Sequence, residues 1–138
     1  MAKSSLSIGD VLSALLNGVS LPGAYGGNLY VSLHTGDPGT GGDQTTNECA
    51  YTSYARVAVV RDNTGAGFTT SGSTRSNSAE VTFPTCTGGT ETVTFVAVGT
   101  ASSGTGRVLY KGALSSSLAV SNNITPRFIA SALQVTEA

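Results

Sequence analysis

The stretch NLYVSLHTGDPG, Asn28–Gly39, decides how the rest of the chain is read. Leu29, Val31 and Leu33 alternate with Tyr30, Ser32 and His34, the period of a strand with one face turned to a core. The strand then gives way to a turn. In Asp37-Pro38-Gly39 the proline ring sets φ at the first central position, and glycine accepts a positive φ at the second. His34 is the chain's only histidine, and it sits at the strand end. There it is expected to be a solvent-facing or turn-bonding imidazole rather than a working part of an active site.

Short apolar runs bounded by turn residues recur beyond this point. They are YARVAVVR (Tyr54–Arg61), AEVTFP (Ala79–Pro84) and TVTFVAV (Thr92–Val98). In the second, Val81 and Phe83 fall on one face and Glu80 and Thr82 on the other. The third leads through a Gly/Ser/Thr loop into RVLYKG, Arg107–Gly112, as a hairpin with a long connection. Leu118–Val120, Ile124–Ala130 and Ser131–Glu137 supply the last strand segments, and Pro126 marks its own as an edge or bulged strand. Arg61–Asn77 has few apolar anchors and reads as a mobile loop. The expected fold is mainly β, a jelly-roll-like β-sandwich forming a single domain over residues 1–138. Strands and loops would occupy residues 28–136.

One segment breaks the pattern. SIGDVLSALLNG, residues 7–18, places Ile8, Val11, Leu12, Leu15 and Leu16 on one helical face. Ser7 with Asp10 resembles a capping box, and Asn17-Gly18 provides the left-handed stop. A helix this short is not stable alone. Its leucines must therefore pack, on the domain's own sheet as the plainer expectation, or on a partner.

Composition narrows function by exclusion. Charged residues make up 11% of the chain, against about 25% in a typical soluble domain. The seven basic residues are spread singly, so there is no basic stripe for phosphates and no nucleic-acid partner is expected. No apolar run approaches the ~18 residues of a membrane span, and Asp10 interrupts the N-terminal apolar stretch, so neither membrane partner nor signal peptide is expected. Cys49 and Cys86 lack metal spacing and read as buried free thiols, with a disulfide as the alternative. No catalytic, cofactor-binding or metal-binding residue is expected. There is no G-x-S-x-G elbow, and one histidine with two distant cysteines does not make a zinc site. Asp37, Asp43 and Glu48 lack the calcium-loop order, and the glycines of Gly39–Gly42 precede neither a lysine nor a helix.

Two strands add a clue about association. In RVAVV and TFVAV both parities are apolar, Val57 and Val59 with Ala58 and Val60, then Phe95 and Ala97 with Val96 and Val98. Such strands want cover on both faces. The helix, a long loop or a second subunit must supply it, which makes an oligomer the expected state.

The order of LYVSLHTGDPG, NECAYTSYARVAV, AEVTFP, GGTETVTFVAVGTASSGTGRVLYKGAL and FIASALQVT resembles a family of small tailed-bacteriophage virion proteins, often labelled tail fibre proteins. The likeness runs from about Leu29 to the C-terminus, and L-H-T-G-D-P-G and Y-A-R-V are its most specific parts. Length and pattern are also similar to the capsid cement (decoration) protein of a Bordetella phage. That resemblance implies a jelly roll, dimers, and the major capsid protein as partner on the outside of an icosahedral head. It gives no catalytic residues, so the expected role is non-enzymatic shell stabilisation. A tail or tail-fibre component acting in host attachment is the alternative. The residues expected to touch a partner are Val11, Leu12 and Leu15 on the helix, with Thr35, Gly36, Asp37, Pro38 and Gly39 in the loop.

Overall fold

Antiparallel pairing organises the chain in a computed structural model that describes residues 1–21, 27–41, 43–62 and 64–137. A short strand β1 (Ala2–Lys3) precedes helix α1 (Ser5–Leu16). The strands β2 (Asn28–His34), β3 (Val57–Val60), β4 (Phe68–Ser71), β5 (Thr74–Asn77) and β6 (Val81–Thr82) follow. The long hairpin of β7 (Glu91–Gly99) and β8 (Val108–Val120) comes next, then β9 (Arg127–Phe128) and β10 (Gln134–Thr136). The main sheet has the order β1-β8-β7-β2-β3; β10-β5-β4 and β6-β9 form two smaller sheets.

The mainly β expectation holds. A jelly roll is built from eight strands in two sheets, and sheets of five, three and two strands do not establish one. The expected hairpin is present, and β8 runs through Leu118–Val120 rather than ending early. Arg61–Asn77 is not a loop throughout. It contains the β4–β5 hairpin, which turns at Gly72 with φ +57° and holds β10 on its far side. Its Ser, Thr and Arg positions pair through the backbone, so the strand forms without the apolar alternation that would have marked it.

Register explains the core. Val31 lies opposite Val98 and Leu33 opposite Val96, so one face of β2 and β7 is continuous valine and leucine. The small sheets contribute Val81 and, packed against the buried cluster, Phe128 and Phe68. Val81 and Phe83 are buried while Glu80 and Thr82 are exposed, as the alternation requires. Phe83 stacks against Tyr54 with ring centroids 6.3 Å apart and meets Phe128 edge-on at 6.4 Å. Truncating such a ring to alanine costs about 3–5 kcal/mol.

The opposite face carries Ser32, His34, Ala97 and Lys111. It is covered by the chain's own Asp37, Thr46 and Glu48, which follow β2. Thr46 bonds His34, Asp37 bonds Lys111, and His34 bridges Glu48. TFVAV thus finds its second cover within one molecule. RVAVV is only partly covered, because β3 is a sheet edge with Ala58 and Val60 exposed. The doubly apolar strands therefore do not by themselves require a second subunit.

The helix begins earlier than the sequence suggested. Ser4, not Ser7, is its N-cap, and the Ser4 hydroxyl accepts from the Ser7 N–H at 3.1 Å. Pairing of β1 with β8 continues into Ser4 N–H, which donates to the Leu109 carbonyl, and Ser5 N–H donates to Thr40. Those two backbone bonds fix where the first turn starts. Gly18, at φ +66°, ends the helix as expected.

Candidate functional site

The two most specific motifs of the family resemblance, L-H-T-G-D-P-G and Y-A-R-V, meet at one buried polar centre. His34 and Ser32 are fully buried. The His34 Nδ1–H donates to the Thr46 carbonyl at 2.9 Å, which leaves Nε2 to accept from the Ser32 hydroxyl at 2.9 Å. His34 is thus turn-bonding but not solvent-facing. Burial, the largest influence, lowers its pKa, and the Thr46 bond and nearby Glu48 oppose that only in part. Ser32 and His34 are spaced like a nucleophile and its base, but the ring's other partner is a carbonyl where a triad places a carboxylate, and both side chains are buried.

Beside it, Glu48 and Arg56 form a two-point ion pair. Arg56 Nε donates to Glu48 Oε1 at 2.6 Å and Nη2 to Oε2 at 2.8 Å. The same guanidinium donates to the carbonyls of Ala101 and Gly104, at 2.9 and 2.7 Å. Tyr54 donates to Glu48 at 2.9 Å and accepts from the Leu33 N–H. Planar, forked donors suit this junction of three segments, which a lysine could not span. The Y-A-R-V run is specific because its tyrosine and arginine clasp the E of N-E-C and the loop after β7.

The Thr35–Gly39 loop turns inward in the same way. Gly39 has φ +78° and donates its N–H to Asp37 Oδ1 at 2.7 Å, the turn read from Asp-Pro-Gly. Pro38 is buried. Asp37 pairs with Lys111 at 2.5 Å, and that bond holds its carboxyl below the usual range. Asn47 donates to the Asp37 carbonyl and packs against Gly36. Among the loop's five expected partner contacts, Thr35 and Asp37 remain exposed. The three carboxylates nearest to a calcium-loop pattern each hold a protein donor instead: Lys111 on Asp37, Thr45 on Asp43, Arg56 on Glu48. Gly42 of the Gly39–Gly42 cluster lies outside the described residues.

Two buried polar residues had no local signal. Gln44 reaches across to donate to the Tyr30 carbonyl at 3.3 Å and accept from Ala101 N–H at 2.9 Å. Gly99 and Gly106 lie so close to its amide that a Cβ at either would overlap it. Asn77 accepts from Leu133 N–H and donates to the Ala79 and Ile129 carbonyls, tying the C-terminal segment to β5. Cys49 and Cys86 are free and buried. Burial, reinforced by Glu91, pushes the Cys49 thiol up to about 12, far from a reactive thiolate.

The helix places its expected contacts quite differently. It packs on the body through Ser7, Asp10 and Ala14, one side at i, i+3 and i+7, and Asp10 pairs with Arg107 at 3.1 Å. Val11 is half-buried at the margin. Leu12, Leu15 and Leu16 are 50, 75 and 78% exposed, and Ile8 is exposed beside them. The leucine face does not pack on the domain's own sheet. Among the described residues, nothing covers it.

A groove of about 870 Å³ lies between the main sheet, at Leu29, Val98 and Tyr110, and the β4–β5 hairpin, at Phe68 and Arg75. Its polar rim is engaged internally, with Tyr110 donating to Glu137 at 2.6 Å and Lys3 pairing with Glu137 at 2.7 Å.

Fold and site together define a mainly β protein. Its polar centres bind its own segments to one another, and its helix leaves an apolar face exposed. The family model Gp80, "Podophage GP4 fiber I protein gp80", matches residues 4–136. The chain belongs to that family and is a bacteriophage virion structural protein of the fibre type, which implies a non-enzymatic role. No curated protein matches the chain significantly. The family match gives no support to the capsid cement identity.

Proposed function

We propose that the protein is a non-catalytic component of the fibre apparatus on a podophage tail, serving in attachment to the host cell. The observation that carries this reading is the fibre-family match over residues 4–136. The interior supports it. Ser32, His34, Glu48, Tyr54 and Arg56 are engaged with one another or with backbone groups, which makes a stiff module rather than a reaction centre. The charge-poor, hydroxyl-rich surface suits contacts made through hydrogen bonds and apolar area, which vary little with ionic strength.

Intact virions labelled with antibody against the protein test this location. Density confined to the tail supports the proposal. Density spread over the head refutes it and favours a decoration protein that binds the major capsid protein. Particles assembled without the protein should keep stable heads and adsorb poorly to host cells. Heads that burst while adsorption stays normal would overturn the attachment role.

A further inference from the structure

We infer that the exposed face of α1 is the seat of a second copy of this chain, packed helix against helix about a two-fold axis. The inference concerns this face alone and holds whichever part of the virion carries the protein.

Three features select that occupant. The first is area. Ile8, Leu12, Leu15 and Leu16 are all 43% exposed or more. Together they leave on the order of 500 Å² of mostly apolar surface in water, within the range of a monomer's largest patch. Two such faces bury up to about 1,000 Å² together, the size at which a specific interface begins.

The second is charge. Asp10 is the only ionisable residue between Leu6 and Leu21, and it points to the opposite side, onto Arg107. A partner reading charge would find nothing to pair with. A copy of the same face meets it with no like-charge penalty, the self-complementarity an isologous contact requires.

The third is spacing. Ile8, Leu12 and Leu15 lie four and three residues apart, the seam by which one helix packs on another, and Leu16 widens it. The face is also held ready. Capping by Ser4, the Ser4 and Ser5 backbone bonds, and the Asp10–Arg107 pair fix the helix on the body from its small polar side. Each copy therefore gives up little freedom on pairing.

Sedimentation velocity on the full chain from 1 to 100 μM tests this, with such concentrations spanning about the affinity a modest interface gives. The wild type should sediment at twice the chain mass. Leu12→Glu combined with Leu15→Glu should sediment as a monomer, its dimer dissociation constant raised on the order of 100-fold or more. Its sheet circular dichroism should be unchanged, and its melting should match that of the wild type once the wild type is diluted to monomer, since pairing itself adds stability to the dimer. Leu118→Glu, on exposed β8, should leave the dimer intact. Because the glutamates could alter the helix itself, Leu15→Cys gives a second reading. Cys49 and Cys86 are buried, so a short bis-maleimide should join two copies through residue 15 alone. A wild-type monomer at 100 μM overturns the inference. So does a dimer that survives the double glutamate change, or a dimer that residue 15 cannot cross-link.

Discussion

Replacing Arg56 with methionine keeps the apolar stem and removes the guanidinium, so its cost follows from the hydrogen bonds that the guanidinium makes. Arg56 makes two bonds to Glu48 and one each to the carbonyls of Ala101 and Gly104. Its side chain is 3% exposed, and that of Glu48 is 15% exposed. Gly104 is exposed and Ala101 half-buried, so water can satisfy much of what their carbonyls lose. Glu48 cannot be repaired that way. It retains only the Tyr54 hydroxyl, and removing one partner of a buried pair costs about 3–5 kcal/mol. That is a large share of the ~5–15 kcal/mol that holds a domain folded. For a chain of this length, it corresponds to a fall in Tm of roughly 10–20 °C. Urea unfolding of Arg56→Met, Glu48→Gln and the double variant measures the pair directly, since neighbours in one network do not add. The double variant should cost about 2 kcal/mol less than the two singles summed. An Arg56→Met variant that loses less than ~1 kcal/mol, the range of an exposed pair, would refute the clasp. So would single costs that add.

Two further predictions test the buried polar centre. Gly99→Ala places a Cβ into the Gln44 amide and should cost about 1–3 kcal/mol of stability by overpacking. Combining it with Gln44→Ala in a melting series should cost less than the two changes summed. His34 is the only histidine, and burial lowers its pKa from the ordinary 6.5. Below pH 6.5 the unfolded chain therefore takes up a proton that the folded chain refuses, and stability falls with pH by at most about 1.4 kcal/mol per unit. The fall levels off below the folded pKa. His34→Gln should be less stable at pH 7 and flat between pH 7 and 5. The carboxyls of Asp37 and Glu137, held low mainly by Lys111 and Lys3, confer stability that is lost only as pH falls below their ordinary 3.8 and 4.5. Identical slopes for wild type and His34→Gln in thermal melts from pH 7 to 5 would count against the buried imidazole.

What the sequence made legible was local. The strand of Asn28–His34 and its Asp-Pro-Gly turn follow from alternation and from two residues with restricted φ, so they needed no knowledge of the rest. The helix was legible as a helix but not in its orientation. Amphipathicity says that a leucine face needs company, and only tertiary packing says which side meets the body. Here the body takes Ser7 and Ala14 and leaves Leu15 outside. The β4–β5 hairpin was hidden because its Thr, Ser and Arg positions alternate no hydrophobicity; the Gly72 turn within T-T-S-G-S-T was the available signal. Gln44 and Asn77 were beyond reach. The Gln44 partner Ala101 lies 57 residues away, and burial of an amide becomes favourable only once such a partner is in place.

That contrast bears on how the molecule can meet another. Among the described residues, ion pairs join distant parts of the fold: Lys3–Glu137, Asp10–Arg107, Asp37–Lys111, Glu48–Arg56 and Glu80–Arg127. They fasten the N-terminal strand to the C-terminal segment, the helix to the loop after β7, and the Asp-Pro-Gly turn to β8. Charge is thus largely committed inside the molecule, and little of it is arranged as a field at the surface. Salt and surface mutation should therefore act on separate properties. Added salt screens the exposed fasteners and leaves an apolar helix contact intact or strengthened, whereas a glutamate at Leu15 leaves every fastener in place and removes the contact. A protein built this way keeps its shape through its few charges and leaves its exposed leucines as the surface on which the proposed helix contact can be tested apart from them.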